Sequence, residues 1–544
     1  MREQIMEYGH LPHLTEEIVL EARGETLDAF AIALEGWRRG LDLKYYASNH
    51  PACKKLPVWN EENPGKVFSL SDGTTTHYFF KSRGDRVSEE ATYTAMDKVK
   101  TKQILDDAGI STPAGDTFPP DARNDDIIKR ASEIGFPLVV KPIDGSFGRG
   151  VHLNIKSQED LAAILINERY QERKQSILLE RFIPGKELRV YVVGEQAVAV
   201  MEREPANVTG DGVHTINELI AIKNKRREEN PRLYSCPILV NDELNKHLAK
   251  QEFTIDDIPA EGLRVILNPK SNISSGGDPH TLNLNETDIL NETAVSALSC
   301  IPDLPQGSVD LIWDRASNDV TVLEINPTSQ IGSLLFPYEG EAFDVPRAII
   351  DYYFPDTIPP SPHAEEMYFD LSDVIYPLKS STVTMSRVTP LPKGTLHKKR
   401  FIVSGEVSDI NYHRGMRKQA FERKLSGHIM SRDDGTVEMV VVGDDLERIA
   451  DFKQSIYEDP ERSVVESVEE EEYEGAVKIG FEIKADIKLM LEELDFLEKD
   501  IIATEKRYRK VLKINQSLRN SLSWRMTFPI RVAGDLVKIL KRNR

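Results

Sequence analysis

One stretch, residues 137–151, constrains the fold of this chain most, because an apolar strand in it runs directly into a lysine and a glycine-rich loop. Glycines tolerate positive φ angles, so successive backbone N–H groups can surround phosphate oxygens, and a lysine at the strand end adds a positive charge. The candidate nucleotide-binding residues here are Lys141, Gly145, Ser146, Gly148 and Gly150. The alternative is a tight hairpin without a ligand, since no Gly-Lys-Ser/Thr closes the loop as in a P-loop.

The composition is that of a globular protein with several domains. Its 544 residues suffice for about three or four domains, and 40% hydrophobic with 29% charged residues is ordinary for such proteins. A formal charge of −20 argues against general nucleic-acid binding. The cysteines, Cys53, Cys236 and Cys300, lie far apart and indicate neither a disulfide framework nor a zinc site. Without a signal-peptide pattern or a run of about 18 apolar residues, a cytoplasmic protein is expected.

Residues 1–95 are expected to form a mixed domain that precedes the glycine loop. A helical pattern over residues 25–39 carries its apolar side chains on one face. A second helix is predicted over residues 97–109, where Lys98 lies in a run of lysines. Lys98 could contact a nucleotide phosphate, and the alternative is an ordinary solvated cationic face.

Two apolar strands, residues 177–180 and 186–193, follow the glycine loop and are joined by a short Pro/Gly connection. A linker outside a ladder has free N–H and C=O groups, which suit a purine edge. The further nucleotide-binding candidates are Glu180, Phe182, Ile183 and Glu187, with Glu180 accepting from adenine and Glu187 from ribose. Arg189 could hold a phosphate or a carboxylate by its planar fork. For each charged residue the alternative is a surface salt bridge.

A third pattern, residues 307–327, predicts two strands joined by a polar turn. Asp310 and Glu324 stand among apolar strand residues, where an unpaired carboxylate is costly. A shared magnesium ion removes that cost, because Asp310, Glu324 and Asn326 all offer oxygen ligands. Glu324 and Asn326, two positions apart in a strand, share one face. The alternative is a set of acids hydrogen-bonded to local N–H groups.

These motifs, taken in order, resemble the ATP-grasp superfamily of carboxylate-amine ligases. The resemblance covers roughly residues 90–356 and is similar in detail to the ATP-grasp part of cyanophycin synthetases and of bifunctional glutathione-synthesising enzymes. The ordered markers are Lys98, Lys141 with its loop, the run ERFIPG from Glu180, Arg189, GDGVHTI from Gly210, NISSGG from Asn272, Asp310, EINP from Glu324 and the closing EGEAFDVPRAIIDYYFP from Glu339.

The resemblance implies a fold and a reaction. The fold is α+β: an ATP-grasp domain with a pre-domain and two α+β subdomains. A carboxylate would attack the γ-phosphate of ATP with Mg²⁺ or Mn²⁺ present, and an amine would then displace phosphate to form an amide. Arg189, Asn272 and Ser274 are the implied catalytic candidates. Two departures, Ser308 and the turn 328–330, lie where the acceptor is expected, so the substrate cannot be carried over.

A second unit is expected after a proline-rich extended linker at residues 357–395. The expected domains are 1–95, 96–356, the linker, 396–485 and a tail at 486–544. Residues 396–485 resemble a βαββαβ, ferredoxin-like acylphosphatase domain, with a hairpin at Asp434-Gly435 and a final strand at 480–483. In an ungapped register His413 and Ser431 replace the arginine and asparagine of that family. Lost hydrolysis is therefore expected, and the alternative is an active domain that uses Arg414.

The tail at 486–544 has a helical character. Its apolar seam predicts a short coiled coil or a helix packed on the domain. Residues 520–544 are basic and apolar with a tryptophan, which is typical of a helix that lies on the inner face of an anionic membrane. A helix that docks on a protein or on this chain itself is the alternative.

Two classes of function remain open on the sequence alone. The first is an ATP-dependent ligase of acid-amino-acid type that makes an amide or peptide bond, in an amino-acid polymer or a cell-surface polymer, using ATP and small carboxylate and amine substrates. The second is a nucleotide-binding scaffold without ligase activity. A homo-oligomer is expected, and no nucleic-acid partner. The complete metal trio favours catalysis, because a scaffold is free to lose it.

Overall fold

The structure is a computed structural model that describes residues 11–56, 64–143, 150–168, 175–407, 410–457 and 464–484, with five single positions near residue 508. The chain divides into two units, Met1–His397 with Glu474–Ile479 and Lys398–Tyr473 with Gly480–Arg544. Apart from those five positions the tail lies outside the described residues, so its coiled coil and its basic end stay predictions. Across the described ranges, no helix has the length and apolarity that a membrane span requires.

The N-terminal sheet packs on a buried helix. Its strands, in spatial order, are Met385–Arg387, Asp42–Tyr46, Val67–Ser71, Thr76–Phe80 and Arg83–Gly84. Helix Leu27–Arg38 is buried along its whole length, which confirms the helix predicted over residues 25–39. A Cβ on Gly36 of that helix would lie 2.4 Å from a methyl carbon of Leu70, so only glycine allows this close approach to the sheet. Two short helical segments complete the region: Glu16–Val19 and Val345–Tyr353, the second contacting the long helix.

A four-stranded antiparallel sheet carries the lysine-glycine stretch. Its strands, in spatial order, are Gly115–Phe118, Ile177–Arg181, Leu138–Pro142 and His152–Ile155. Helices Asn124–Ile134 and Gln158–Glu168 cover one face, and their apolar side chains share a core with alternate strand residues such as Leu138, Val140 and Leu179. The alternation of buried and part-exposed residues along Leu138–Pro142 leaves the side chain of Lys141 off that core.

The central sheet separates an apolar face from a polar one. Its antiparallel strands, in spatial order, are Asp278–Thr281, Gln196–Glu204, Lys186–Val193, Gln306–Asp314 and Asp319–Asn326. Helix Asp288–Ser299 packs on the apolar face, which includes Leu188, Val190, Val309 and Leu311. Because strand side chains alternate, the residues between these positions point to the opposite face, and they include Arg189 and Asp310.

Residues 205–270 add a small lobe to this sheet. Strands Asn207–Thr209 and Arg264–Ile266 pair, and helices Ile216–Glu229 and Asp242–Ala249 pack on them around a separate apolar core. Thr215 and Glu218 form a capping box at the start of the longer helix. The same unit also contains helices Glu89–Met96, Lys98–Asp107 and Gly332–Leu335.

The prediction of an extended linker at residues 357–395 is wrong for most of that range. Helices Pro362–Glu365 and Leu371–Lys379 and strands Met367–Tyr368 and Met385–Arg387 lie within it, and the last strand pairs with Asp42–Tyr46. The prolines do not stiffen a linker here, because Pro362 occupies the first turn of a helix, where no N–H partner is lost. Apolar side chains such as Phe369, in edge contact with Phe30 and Trp37, anchor the segment to the N-terminal core.

The second unit has the expected βαββαβ order. Its strands, in spatial order, are Val464–Glu472, His397–Glu406, Val437–Gly443, Ser426–Ser431 and Phe481–Ile483, with helices Ile410–Glu422 and Leu446–Ser455. The hairpin at Asp434-Gly435 is confirmed, and Gly435 has φ 85°. The strand expected at 480–483 is present as Phe481–Ile483 and lies parallel to Ser426–Ser431. It is a fifth strand, however, because Val464–Glu472, which was not predicted, is the fourth strand of the βαββαβ order.

The acidic sequence of Val464–Glu472 does not predict the strand that this segment forms. The residues VVESVEEEE lack the β-branched and aromatic run of a typical strand at their C-terminal end. Basic side chains on the neighbouring elements balance the acids: Lys399 Nζ lies 2.6 Å from Glu472 and Lys453 Nζ lies 2.8 Å from Glu470. An edge strand rich in charge also resists pairing with a further chain.

Candidate active site

Three proposed metal ligands meet on the polar face of the central sheet. Asp310 lies directly opposite Glu324 in the register of the two strands, and Ser308 lies opposite Asn326. The side-chain nitrogen of Asn326 is 3.4 Å from Asp310 Oδ2 and 3.3 Å from Glu324 Oε1. The register therefore brings together the three oxygen-bearing side chains that the sequence singled out, while their role as ligands stays a prediction.

Arg189 clamps Asp310 from the neighbouring strand. The two residues are paired in the register, and Arg189 Nε and Nη2 donate to the two carboxylate oxygens at 2.7 and 2.8 Å. Burial alone would raise the pKa of Asp310, but Arg189 and Arg203 hold that pKa well below its usual range. Asp310 is therefore an ionised carboxylate in a buried position, with its charge balanced by two guanidinium groups.

Arg203 belongs to the site, although the sequence did not single it out. Its Nη2 lies 2.8 Å from Asp310 Oδ2 and also donates to Glu187. Burial acts to lower the pKa of Arg203, but Asp310 and Glu187 raise it, so the guanidinium stays charged. The only sequence signal was a basic residue between two acids at the end of a strand that begins apolar, and its partner Asp310 is more than a hundred residues away in the chain.

Glu187 is held by two donors rather than left open for a ribose. Besides Arg203, the hydroxyl of Ser271 donates to its carboxylate. Ser271 precedes the loop Asn272 to Gly277, in which the carbonyl oxygen of Asn272 accepts from the N–H groups of Ser275 at 2.9 Å and Gly277 at 3.1 Å. The ribose role of Glu187 stays a prediction, as do the catalytic roles of Asn272 and Ser274.

A close approach at Gly277 fixes that loop on the edge of the sheet. A Cβ on Gly277 would lie 2.8 Å from the carbonyl oxygens of Glu204 and Ser271, so the loop needs glycine there. Ser274 is exposed at the tip, which leaves its hydroxyl available to a ligand.

Lys98, in the first turn of its helix, lies close to Glu324, one of the three proposed metal ligands. Its Nζ lies 3.6 Å from Glu324 Oε2. The neighbouring lysines of the run have other partners: Lys100 Nζ donates to Thr94 Oγ1, and Lys102 Nζ donates to Thr112 Oγ1, both at 2.8 Å. The structure therefore separates Lys98 from the rest of the lysine run, while its contact with a phosphate stays a prediction.

Lys141 pairs with Glu180 across two neighbouring strands. The distance from Lys141 Nζ to Glu180 Oε2 is 2.6 Å, and Glu180 is buried. Phe182 donates its N–H to the carbonyl oxygen of Pro137 at 2.9 Å, whereas Ile183, the next candidate, is half-buried in the connection. Both residues therefore sit where the proposed purine-binding connection was placed.

The glycine loop itself lies largely outside the described residues. Gly145, Ser146 and Gly148 are not described, and Gly150 has φ 67°, a left-handed conformation that favours glycine. The orientation of this loop toward the trio accordingly stays a prediction.

The turn that departs from the family pattern touches the clamp. Arg189 Nη1 lies 3.2 Å from Ser329 Oγ, and Ser82 Oγ donates to the carbonyl oxygen of Ser329 at 2.5 Å. Ser308 is fully buried, and within the described ranges its hydroxyl has no hydrogen-bond partner. The segment that replaces the usual turn is thus fixed by Arg189 and by Ser82.

A second group of titratable side chains is formed by Glu204, Asp278 and His280. Basic residues already balance the two acids: Lys223 and Arg227 lie 2.5 and 2.6 Å from the two oxygens of Asp278, and Arg264 donates to Glu204. Burial lowers the pKa of His280, so its ring is neutral at physiological pH. This cluster is an ion-pair network that holds the edge strand, with three basic side chains facing its two carboxylates.

In the acylphosphatase-like unit, the residues that replace the catalytic pair lie on different elements. His413 is buried in helix Ile410–Glu422, and Ser431 ends strand Ser426–Ser431. Arg414, one position beyond His413, is exposed on the same helix.

Comparison with known proteins identifies two parts of the chain. Residues 95–212 match the RimK-like ATP-grasp domain, and residues 399–483 match Acylphosphatase. Cyanophycin synthetase of Synechocystis sp. is 31% identical over 277 residues, which cover 49% of this chain and 31% of that protein. The glutathione biosynthesis bifunctional protein GshAB of Clostridium perfringens is 31% identical over 303 residues, which cover 53% and 37%. This chain thus spans about a third of the length of these curated relatives.

Two solved structures are also similar over part of the chain. A bifunctional glutathione synthetase from Pasteurella multocida is 26% identical with a TM-score of 0.42, and the match covers 54% of this chain and 41% of that one. An acylphosphatase from Coxiella burnetii is 26% identical with a TM-score of 0.16, and covers 16% of this chain and 93% of that one. The mixture of helices and antiparallel sheets confirms the α+β fold class. The two family matches confirm the expected families: the chain carries an ATP-grasp domain of the RimK-like family at residues 95–212 and an acylphosphatase-like domain at residues 399–483.

Proposed function

We propose that this protein is an ATP-dependent ligase that activates a carboxylate as an acyl phosphate and joins it to an amine. The observation that carries the proposal is the meeting of three oxygen donors, Asp310, Glu324 and Asn326, with two arginines on one sheet face. The ATP-grasp match supports it, since the printed names of the relatives denote enzymes that build cyanophycin and glutathione. An acid-amino-acid ligase, working on small carboxylate and amine substrates, is the type that we propose.

The donor set fits Mg²⁺ or Mn²⁺. Two carboxylates and one amide oxygen, leaving room for phosphate oxygens, are what magnesium with ATP prefers. A half-turn of the Asn326 amide would present its oxygen instead of the nitrogen that now faces Asp310 and Glu324. When bound, the metal would neutralise phosphate charge and orient the γ-phosphate.

The proposed reaction consists of a phosphoryl transfer followed by an acyl transfer. A carboxylate oxygen attacks the γ-phosphorus in line, the bond to the bridging oxygen breaks, and ADP leaves. The amine nitrogen then attacks the acyl carbon, phosphate leaves, and the nitrogen loses a proton. Both steps place negative charge on oxygens near Asp310, where the guanidinium groups of Arg189 and Arg203 are fixed in advance.

The lysines have separate proposed tasks. Lys98, within 3.6 Å of Glu324, would contact the terminal phosphates together with the metal ligands. Lys141, paired with Glu180, would contact the phosphates from the other sheet, with Gly145, Ser146, Gly148 and Gly150 closing over them. A closed loop excludes water, which would otherwise hydrolyse the acyl phosphate.

Carboxylate-dependent ADP release tests the function. Purified protein with ATP and magnesium is screened against amino acids and uronic acids, with hydroxylamine present to capture the acyl group as a hydroxamate. Hydroxamate formed in step with ADP supports the ligase. A protein that binds ATP and yields neither product with any of these acids contradicts it and supports the nucleotide-binding scaffold.

We also propose that the acylphosphatase-like unit has lost hydrolytic activity, because a buried histidine and a serine stand in the two catalytic positions. In the presence of the full chain, benzoyl phosphate is expected to be hydrolysed only at its uncatalysed rate. Hydrolysis that disappears in Arg414→Ala would instead show an active site built on the exposed arginine. Lys418→Ala, an exposed position on the same helix, is the matched control.

We propose that the tail makes a peripheral contact with the inner face of a membrane. We also propose that the protein is a cytoplasmic homo-oligomer. The basic, apolar composition of residues 520–544 supports the membrane contact. Full-length protein is expected to sediment with anionic vesicles, and a chain ending at residue 519 is not. Equal recovery of both forms with the vesicles, or of neither, contradicts the membrane contact and leaves protein docking as the role.

A further inference from the structure

One helix of the acylphosphatase-like unit, Ile410–Glu422, presents an exposed basic face. Four of its exposed side chains follow the spacing i, i+3, i+4 and i+7, which places them on one side of a helix. A fifth side chain, which is basic, comes just after the helix, where the backbone turns with a φ of 56°. The five members of this basic helix face are Arg414, Arg417, Lys418, Phe421 and Lys424.

The opposite side of the helix anchors it in the core of the same unit. Tyr412, Met416 and Ala420, each four positions from the next, are buried in that core. The hydroxyl of Tyr412 also donates to the carbonyl oxygen of Ile456 at 3.1 Å. These contacts fix the rotation of the helix about its axis, and the basic helix face is therefore held toward solvent.

The charge of this segment is opposite in sign to that of the chain. Residues 414–424 contain five basic side chains and one acidic side chain, whereas the whole chain has a formal charge of −20. Two of the five basic groups have acidic neighbours: Lys418 lies 3.7 Å from Glu422, and Arg423 lies 2.7 Å from Asp451. The segment keeps an excess of positive charge after both contacts are counted.

Three members of the basic helix face form no ion pair with an acid of the described residues. They are Arg414, Arg417 and Lys424. At physiological ionic strength, exposed charges more than about 8 Å apart are largely screened from one another. The acidic surface elsewhere on the protein therefore does not cancel the attraction of this face for a negatively charged partner that touches it.

Phe421 adds an apolar contact in the middle of these cations. Its side chain is 54% exposed, although phenylalanine is among the residues most often buried. A basic face with an exposed aromatic ring suits an anionic lipid surface. The ring enters the boundary between headgroups and acyl chains, while lysine and arginine side chains contact the phosphates.

The position of the helix favours a lipid surface over an acidic protein. The helix contacts strand Phe481–Ile483, which is followed in the sequence by the tail at residues 486–544. The basic and apolar composition of residues 520–544 independently indicates an anionic membrane. One weak membrane signal gives reversible binding, whereas two signals on one protein give stable attachment.

We propose that the basic helix face is a second membrane contact, which binds the anionic headgroups of a lipid bilayer and orients the acylphosphatase-like unit on it. The proposal extends the membrane contact proposed for the tail but rests on a separate set of residues. It requires neither ligation of a carboxylate nor hydrolysis of an acyl phosphate.

Charge reversal at two positions tests the basic helix face. Full-length protein carrying Arg417→Glu with Lys418→Glu is titrated with vesicles of phosphatidylcholine and phosphatidylserine, and the lipid concentration at half-maximal binding is measured. We expect this concentration to rise by about 10-fold or more, because two attractive charges become repulsive. Both positions are exposed, so the unfolding temperature is expected to remain that of the wild type.

Two control variants separate location and charge from other effects. Lys246→Glu with Lys250→Glu makes the same change in net charge at exposed positions outside this unit, and is expected to bind the vesicles as the wild type does. Arg417→Lys with Lys418→Arg keeps both charges and is also expected to bind normally, because a lipid surface attracts either cation. Loss of binding in this exchange would indicate a partner of fixed geometry and would contradict a lipid surface.

Three results would overturn the proposal. They are unchanged binding of the charge-reversed protein, equal binding of the wild type to vesicles of phosphatidylcholine alone, and no binding of the wild type to either kind of vesicle. The last result would leave an acidic protein as the partner of the face.

The helix contact and the tail contact fail independently. If a chain ending at residue 519 binds as well as the full chain, while charge reversal in the full chain weakens binding, the helix face is a membrane contact and the tail is not. If truncation removes binding and charge reversal leaves it unchanged, the tail is the membrane contact and the helix face is not.

Discussion

Glu324→Gln is expected to lower carboxylate-dependent ADP release by about 100-fold or more while the protein stays folded. Glu324 faces Asp310 across the strand pair and meets both Asn326 and Lys98. The substitution keeps the shape of the side chain and removes one negative charge, so metal and phosphate lose a ligand without a cavity being formed. Because the Glu324 side chain is 35% exposed, the cost to stability is small.

The measurement combines turnover with unfolding. ADP release is followed across a magnesium titration, and we expect a higher metal concentration at half-maximal rate as well as a lower maximum. Glu195→Gln, an exposed acid on the hairpin that joins two strands of the same sheet, should match the wild type in both quantities. Wild-type turnover in Glu324→Gln would show that this acid is not a metal ligand.

Arg189→Lys is expected to reduce the maximal rate by about 100-fold and also to destabilise the fold by about 1–3 kcal/mol. Lysine keeps the charge but cannot make the two parallel bonds to Asp310, whose carboxylate is buried. Asp310 would then depend on Arg203 alone. The contact with Ser329 would also be lost, which loosens the turn at residues 328–330.

Urea unfolding and single-turnover ADP release separate the two effects. The double variant Arg189→Lys with Asp310→Asn should be less than additive in stability, since one interaction is removed twice. Arg123→Lys, an exposed arginine paired with Asp126, is the matched control and should change neither quantity. Full additivity, or an unchanged rate in Arg189→Lys, would contradict the clamp.

Local patterns predicted the parts of the site that depend on neighbouring strands. The apolar alternation around Asp310 and Glu324 required a buried strand pair, and the cost of two unpaired carboxylates required them to meet. The structure confirms that meeting. Arg203 could not be predicted in the same way. The pairing of its strand with Lys186–Val193 brings it to Asp310, and a short sequence pattern does not predict the register between two strands.

The wrong predictions of secondary structure also result from contacts that the local sequence does not show. The prolines near residue 360 read as a stiff linker, yet a proline in the first helical turn is favourable, and buried apolar residues around Phe369 decide the outcome. Strand Val464–Glu472 was missed because its acids are neutralised by Lys399 and Lys453, which the local sequence does not show.

The most direct test of the ligase follows an oxygen atom. The carboxylate substrate identified by the hydroxamate screen is labelled with ¹⁸O in both carboxyl oxygens and turned over with ATP and an amine. If an acyl phosphate forms, one labelled oxygen passes from the carboxylate to the released phosphate, because the amine displaces phosphate at the acyl carbon. Phosphate that carries one ¹⁸O per turnover is the predicted result, and unlabelled phosphate released together with amide product would contradict the acyl-phosphate mechanism.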